Sequence, residues 1–239
     1  MSFESSIRND IHIYSSPLLN SLGIVNGFSD GSLDFRSEKR AAAAQKFAED
    51  FGLRRLLLLN QTHCADFVVL DKDSIDSYTL ADADAFILKN RNELKGYGIG
   101  VLTADCVPLL ISLGNVLSVV HSGWRGLANG IICGVIKEMK KHAIAEKLYV
   151  AIGPCAGNHA YEVGLEVVEN IGANAVYEIG ENNKPKLDLA RTAQKIVNSC
   201  HTGEVVFDIA DICVITNNKF HSFRRDSQNS GRNISFILL

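Results

Sequence analysis

The sequence predicts a mixed α/β fold in which sheets are covered by helices or stacked on another sheet. Short apolar runs at 53–59, 97–102, 107–113 and 116–120 are hydrophobic on both faces, as strands buried on both sides require. Stretches with helical character at 38–52 and 127–142 alternate with those runs. No repeat, linker or low-complexity tract breaks the 239 residues, so one domain over 1–239 is the simplest organisation.

Residues 1–36 carry weak signals, with Asn26-Gly27 and Asp30-Gly31 reading as turns. An alanine-rich helix follows Ser37 and ends at Gly52. The run 53–59 reads as a buried strand, and after a loop containing His63 a second strand covers 66–70. Strands are expected at 84–89 and 97–102, split by a polar turn. In the next strand, 107–113, Pro108 calls for an edge or strand-start position. Gly114-Asn115 then turns the chain into a strand at 116–120, followed by the helix at 127–142 with Lys137, Lys140 and Lys141 in its last turns. A strand at 148–152 precedes helices at 163–171 and 187–200. Strands at 204–207, 212–216 and 234–238 complete the chain.

Composition narrows the function. The net charge of −3, without long like-charge runs, gives no bulk attraction to nucleic acid or an anionic membrane. The first residues lack the basic-then-apolar plan of a signal peptide, and no run is long enough to span a bilayer, so a cytoplasmic location is the default expectation. Six cysteines (Cys64, Cys106, Cys133, Cys155, Cys200 and Cys213) are then expected as thiols. No CxxC pair marks a zinc knuckle or a thioredoxin-type site.

Chemistry concentrates in the stretch 103–126, TADCVPLLISLGNVLSVVHSGWRG, where Cys106 and His121 flank an apolar hairpin pattern. His63 occupies a comparable place in an earlier loop. Spacings of 43 and 15 residues match no local metal motif. Two His and one thiolate nevertheless form a catalytic zinc set with a fourth position open for water. The residues alone equally allow Cys106 as a small buried hydrophobe beside ordinary histidines, or Cys106 as a nucleophile with His121 as its base. Seven His, with no His-x-His pair, are few for an array of copper centres. Arg125, beside Trp124, is a candidate anion ligand, as are Arg224 and Arg225, although structural ion pairs would also explain the C-terminal arginines. Cys155 and His159 stand four apart in a Gly/Pro-containing loop and are not taken as ligands. The small residues around them are those expected where backbone lines a pocket.

Asn60-Gln-Thr-His63, Thr103-Ala-Asp-Cys106-Val-Pro, His121-Ser-Gly-Trp-Arg-Gly, Ile152-Gly-Pro with Tyr161-Glu-Val-Gly, and Ser222-Phe-Arg-Arg-Asp with Ser230-Gly-Arg resemble the YfiH family. This family is also described as polyphenol oxidase or multicopper laccase-like, and as FAMIN-type purine nucleoside phosphorylases. The resemblance implies an α/β/β/α sandwich and one zinc, more than copper, held by His63, Cys106 and His121. It also implies phosphorolysis of adenosine, inosine or methylthioadenosine, and deamination of adenosine. The expected partners are thus a nucleoside and phosphate, in a monomer or small homo-oligomer. An Arg usual after Gly27-Phe-Ser is absent from this sequence, and Ala156 and Val214 replace the usual Ile and Thr. Two other activities stay open: a Cys–His hydrolase or amidase acting on peptidoglycan precursors or proteins, and a copper-dependent polyphenol oxidase.

Overall fold

A computed structural model describes residues 3–181 and 183–239. In chain order the strands are β1 (Glu4–Arg8), β2 (Ile11–Ser15), β3 (Val25–Ser29), β4 (Arg55–Leu57), β5 (Phe67–Leu70), β6 (Ala85–Leu88), β7 (Tyr97–Thr103), β8 (Val107–Leu113), β9 (Val116–Ser122), β10 (Leu148–Ile152), β11 (Tyr177–Ile179), β12 (Pro185–Leu187), β13 (Val205–Ile209) and β14 (Asn233–Leu238). The helices are α1 (Pro17–Ser21), α2 (Arg40–Phe51), α3 (Trp124–Asn129), α4 (Ile131–His142), α5 (Leu165–Ile171), α6 (Leu189–Cys200) and α7 (Phe223–Asp226). One six-stranded sheet has the order β1-β2-β3-β14-β7-β4 and a second the order β13-β10-β8-β9-β6-β5, while β11 and β12 form a small ribbon.

The two large sheets meet through Phe28, Ile99, Val101 and Ile237 on one side and Phe86, Leu110, Leu117 and Val119 on the other. Because successive strand residues point to opposite faces, the alternate positions form two outer cores. Leu109, Ile111 and Val120 pack with Ile132, Val135 and Ile136 of α4 and with Ala193 and Val197 of α6. On the far side, Ile13, Leu56, Ile234 and Phe236 pack with Ala43 and Phe47 of α2. The expected α/β/β/α sandwich is therefore present, each fully buried Leu, Ile, Val or Phe side chain contributing roughly 1.5–3 kcal/mol of transfer free energy.

Local departures from the sequence reading have identifiable causes. Asn26-Gly27 is strand interior, not a turn. Asn26 Oδ1 accepts the Ser16 amide at 2.9 Å, and a Cβ on Gly27 would lie 2.5 Å from Ile13 Cγ2 and 2.6 Å from Phe236 Cζ. The expected helix at 127–142 is two helices, α3 and α4, separated by Gly130 at φ +80°. Leu187 ends β12 rather than opening a helix, because Asp188 caps α6 by accepting the Arg191 amide at 2.8 Å. Residues 212–216 form only a single bridge, Cys213 to Cys155. Pro108 sits at the start of a central strand, so its strand-start reading holds and its edge reading does not. Gly153 lets the sheets approach, since a Cβ there would run into the Phe28 ring. Contrary to the expectation of thiols throughout, Cys133 on α4 and Cys200 on α6 are joined in a disulfide, the helices bringing their Cα atoms to 5.4 Å. Among the described residues, no helix is long and apolar enough to cross a membrane.

The packing around Gly27 yields a direct prediction. Gly27→Ala should destabilise the protein by about 1–3 kcal/mol through overpacking against Ile13 and Phe236. A urea midpoint within error of wild type would show that this contact relaxes freely.

Candidate metal centre and substrate cleft

Cys106 ends the short turn between β7 and β8. Asp105, immediately before it, holds φ +98°, a region unfavourable for a residue with a side chain. Three hydrogen bonds keep it there: its carboxylate accepts from Ser222 Oγ and the Arg224 amide, both at 2.6 Å, and its carbonyl accepts from the Ala156 amide at 2.8 Å. His121 lies near the end of β9, opposite Pro108 of β8. The β8/β9 pairing therefore brings Cys106 and His121 to the same end of one hairpin. His63 comes from the loop after β4, itself at φ +61°. Gln61 anchors that loop to β7, donating to the Leu102 carbonyl and accepting the Leu102 amide, each at 2.7 Å.

Asp84 completes the arrangement and was not singled out by the sequence reading. It sits just before β6, its side chain wholly buried. One oxygen meets His121 Nδ1 at 2.6 Å and accepts the His63 amide at 3.2 Å. The other accepts from the amides of Thr62 and Cys64 at 3.2 and 2.8 Å and from Cys64 Sγ at 3.0 Å. Burial opposes the charge, but the His121 hydrogen bond and the Cys64 contacts outweigh it and hold the carboxyl down at about 2. The only sequence signal for this role was an acidic residue opening an apolar strand, which many structural caps share.

The donor atoms of His63, Cys106 and His121 all lie within 4.8 Å of one another, and Cys106 Sγ is 3.8 Å from His63 Nε2. Tetrahedral metal–nitrogen and metal–sulfur bonds of about 2.0–2.3 Å place ligand atoms roughly 3.3–3.8 Å apart, so the set fits one ion after a small contraction. Gly123 keeps the position clear, because a Cβ there would stand 2.9 Å from Cys106 Sγ and 3.3 Å from His63 Cδ2. Burial pushes the Cys106 thiol up, yet the facing His121 and His63 pull it down further, to about 6. His121 moves the other way: burial disfavours its charge, but Cys106 and Asp84 together raise it. A thiolate and an imidazole oriented from behind by a carboxylate are what a metal site requires.

The trio opens onto a cleft of about 620 Å³. Trp124, Arg125, Tyr161 and Arg224 line it, with Arg125 stacked on Trp124 at 4.3 Å and Arg224 on Tyr161 at 4.9 Å. Arg36, Arg40 and Arg232 are also at its walls. Arg36 and Arg40 escaped the sequence reading because they belong to a turn and a helix start distant in sequence from the other site residues. Arg225 is a correction. Its guanidinium donates to the carbonyls of Val214 and Phe220 at 2.9 and 2.7 Å and pairs with Asp226 at 2.7 Å. Those partners occupy its fork in pinning the 214–220 loop, and it does not line the cleft. Where the resemblance expects an Arg after Gly27-Phe-Ser, Asp30 stands buried beside His12.

Two facing sheets between helix layers, with a His–Cys–His donor set at the mouth of a cleft, define a four-layer α/β/β/α protein whose site could hold a metal. The family described as multi-copper polyphenol oxidoreductase laccase matches residues 25–239. The chain belongs to this family, known also as the YfiH family. It is 35% identical to a purine nucleoside phosphorylase of Clostridium acetobutylicum over 79% of this chain and 78% of that protein. It is 36% identical to the adenosine deaminase RL5 of an unknown prokaryotic organism, over 48% of this chain and 45% of that one. Its fold is that of YlmD from Geobacillus stearothermophilus, with TM-score 0.81 and 21% identity over 98% of this chain and 97% of that one. The family's description mentions several coppers. Among the described residues, His63, Cys106 and His121 are the one group of three or more His, Cys, Asp or Glu donors close enough for a metal.

Two outcomes are expected. In metal-stripped protein, the alkylation rate of Cys106 by iodoacetamide, followed by peptide mass spectrometry, should rise with pH about a midpoint near 6. A free thiol would show a midpoint near about 8.5, and that result would mean His121 does not stabilise the thiolate. Asp84→Ala should weaken metal binding about 10–100-fold, read by competition with a chromogenic chelator.

Proposed function

We propose that this chain is a zinc-dependent purine nucleoside enzyme that phosphorolyses adenosine, inosine or methylthioadenosine and deaminates adenosine. The observation that carries the reading is the His63–Cys106–His121 set at the mouth of a cleft bearing aromatic walls and several guanidinium groups. The relatives named purine nucleoside phosphorylase and adenosine deaminase support a nucleoside as the substrate class. Two imidazoles and a thiolate suit zinc, whereas a polyphenol-oxidising copper array would need further donor clusters.

His63, Cys106 and His121 would hold the ion. Zinc there supplies Lewis acidity and an activated water at neutral pH. Asp84 fixes the His121 ring through Nδ1, leaving Nε2 turned to the metal position. Trp124 and Tyr161 offer flat apolar surface for a purine, and Arg125 and Arg224, stacked on those rings, offer N–H groups to an anion. In phosphorolysis a phosphate oxygen forms the new bond to ribose C1′ while the bond to the purine nitrogen breaks, and the base leaves with the electron pair. Guanidinium groups lining the cleft hold the attacking phosphate, with Arg125 and Arg224 placed to stabilise the charge that develops. In deamination a water oxygen adds at C6 and the amino group leaves as ammonia.

A second reading has an observation of its own. Asp84, His121 and Cys106 stand in the order of a carboxylate–imidazole–thiolate triad, which a metal-free hydrolase or amidase would use with Cys106 as nucleophile. Zinc content and activity separate the two. Elemental analysis should give about one zinc per chain, from the single donor set. Dialysis against a chelator should abolish release of base from adenosine plus phosphate, and added zinc should restore it. Full activity after verified zinc loss, together with a trappable acyl adduct on Cys106, would transfer the assignment to the hydrolase.

A further inference from the structure

The cleft carries far more positive charge than the chain as a whole. Five arginines line it, Arg36, Arg40, Arg125, Arg224 and Arg232, against the carboxylates of Glu38 and Asp105, on a protein of formal net charge −3. Asp105 is already engaged by the Ser222 hydroxyl and the Arg224 amide. Among the described residues, Arg36 alone of the five has carboxylate partners within 4.0 Å, Asp34 at 2.5 Å and Glu38 at 3.9 Å. Such an excess favours an anionic ligand.

The arginines differ in what holds them. Arg125 and Arg224 stand on the aromatic side, stacked on Trp124 and Tyr161. Arg232 lies 6.0 Å over the Phe223 ring, next to Arg224, while its backbone, like that of Arg36, is held by Asp34. Asp34 Oδ1 accepts the amides of Arg36 at 2.9 Å and Arg232 at 3.1 Å, and the Phe35 amide donates to the Arg232 carbonyl at 3.2 Å. This ties the segment leading into α2 to the segment leading into β14. Arg40 opens α2, where Lys39 provides no side-chain cap. Its Nε is buried without a hydrogen-bond partner. Arg232 spends Nη1 on the carbonyls of Ser230 and Gly231, at 3.1 and 2.8 Å. Guanidinium groups on the walls of one cleft, without carboxylate partners among the described residues, suit the oxygens of a phosphate.

We propose that Arg40 and Arg232 form a second anion subsite that takes a phosphate dianion, with Asp34 and Arg36 as its scaffold. The proposal rests on the nucleoside reading only for the source of that phosphate, which is either the inorganic co-substrate or the 5′-phosphate of a nucleotide. Calorimetric titration of the full metal-loaded chain with inorganic phosphate, adenosine and adenosine 5′-monophosphate decides between them. Wild type, Arg40→Gln and Arg232→Gln are compared, with Arg191→Gln on the exposed face of α6 as control. Either inorganic phosphate should bind, or the monophosphate should bind more tightly than adenosine. That binding or advantage should fall at least tenfold in both variants, with adenosine affinity within twofold of wild type. Loss of free-phosphate binding assigns the subsite to the co-substrate, and loss of the monophosphate's advantage alone assigns it to a nucleotide. The proposal is overturned if wild type shows neither effect, or if the effect survives in either folded variant. Should one variant lose its circular-dichroism signature, the other decides. Phosphate binding lost in the variants of a protein that turns over no nucleoside keeps the subsite and removes the nucleoside reading. Undiminished phosphate-dependent turnover in both variants does the reverse.

Discussion

The Asp84 carboxylate is the interaction on which the site depends. A wholly buried negative charge is costly unless every lone pair is used, and here five donors use them. Three of those donors are consecutive amides of the His63 loop, and a fourth is the His121 ring. One group thus fixes a loop from the first sheet's side of the molecule and a strand residue of the second in mutual register. The charge also draws His121 toward its protonated form, which in turn stabilises the Cys106 thiolate.

The four-layer architecture explains why such a site can exist at all. Cys106 lies on the crossing from β7 in the first sheet to β8 in the second, while His63 follows β4 and His121 closes β9. The rigid inter-sheet core around Phe28, Phe86, Leu110 and Val119 holds those element ends in place. Strain at His63 and Asp105, both at positive φ, is tolerated because side-chain and backbone hydrogen bonds over-determine each residue. Glycine is needed at 123 for a different reason, since any side chain there would fill the space where the ligand atoms converge.

The family's description and the chain's donor chemistry point in different directions. Multi-copper oxidation requires several centres with ligands at short range, and the described residues bring three donors together once. The cleft beyond that centre is cationic and partly aromatic. Its shape is assembled from α2, α3, α7 and the loops before β8 and β14, so no single sequence segment displays it.

The apolar periodicity of β7, β8, β9 and β10 was legible without coordinates because these strands are buried on both faces, and the helix ending at Gly52 was legible from its alanine content and glycine stop. The motifs around His63, Cys106 and His121 named three residues whose donor atoms the structure brings within 4.8 Å of one another. The first three strands were hidden because β1 is exposed along its length and β3 contains Asn26 and Gly27, which local propensity reads as a turn. Arg224 and Arg225 are neighbours of one type, yet one borders the cleft and the other is consumed by loop carbonyls. Asp84 and Arg40 could be distinguished from ordinary surface charges only by what surrounds them in space. The sequence by itself determined which donors are available and which segments must be buried. Tertiary structure alone decided which donors converge, because hydrogen-bond partners and burial are set by packing between segments far apart in the chain.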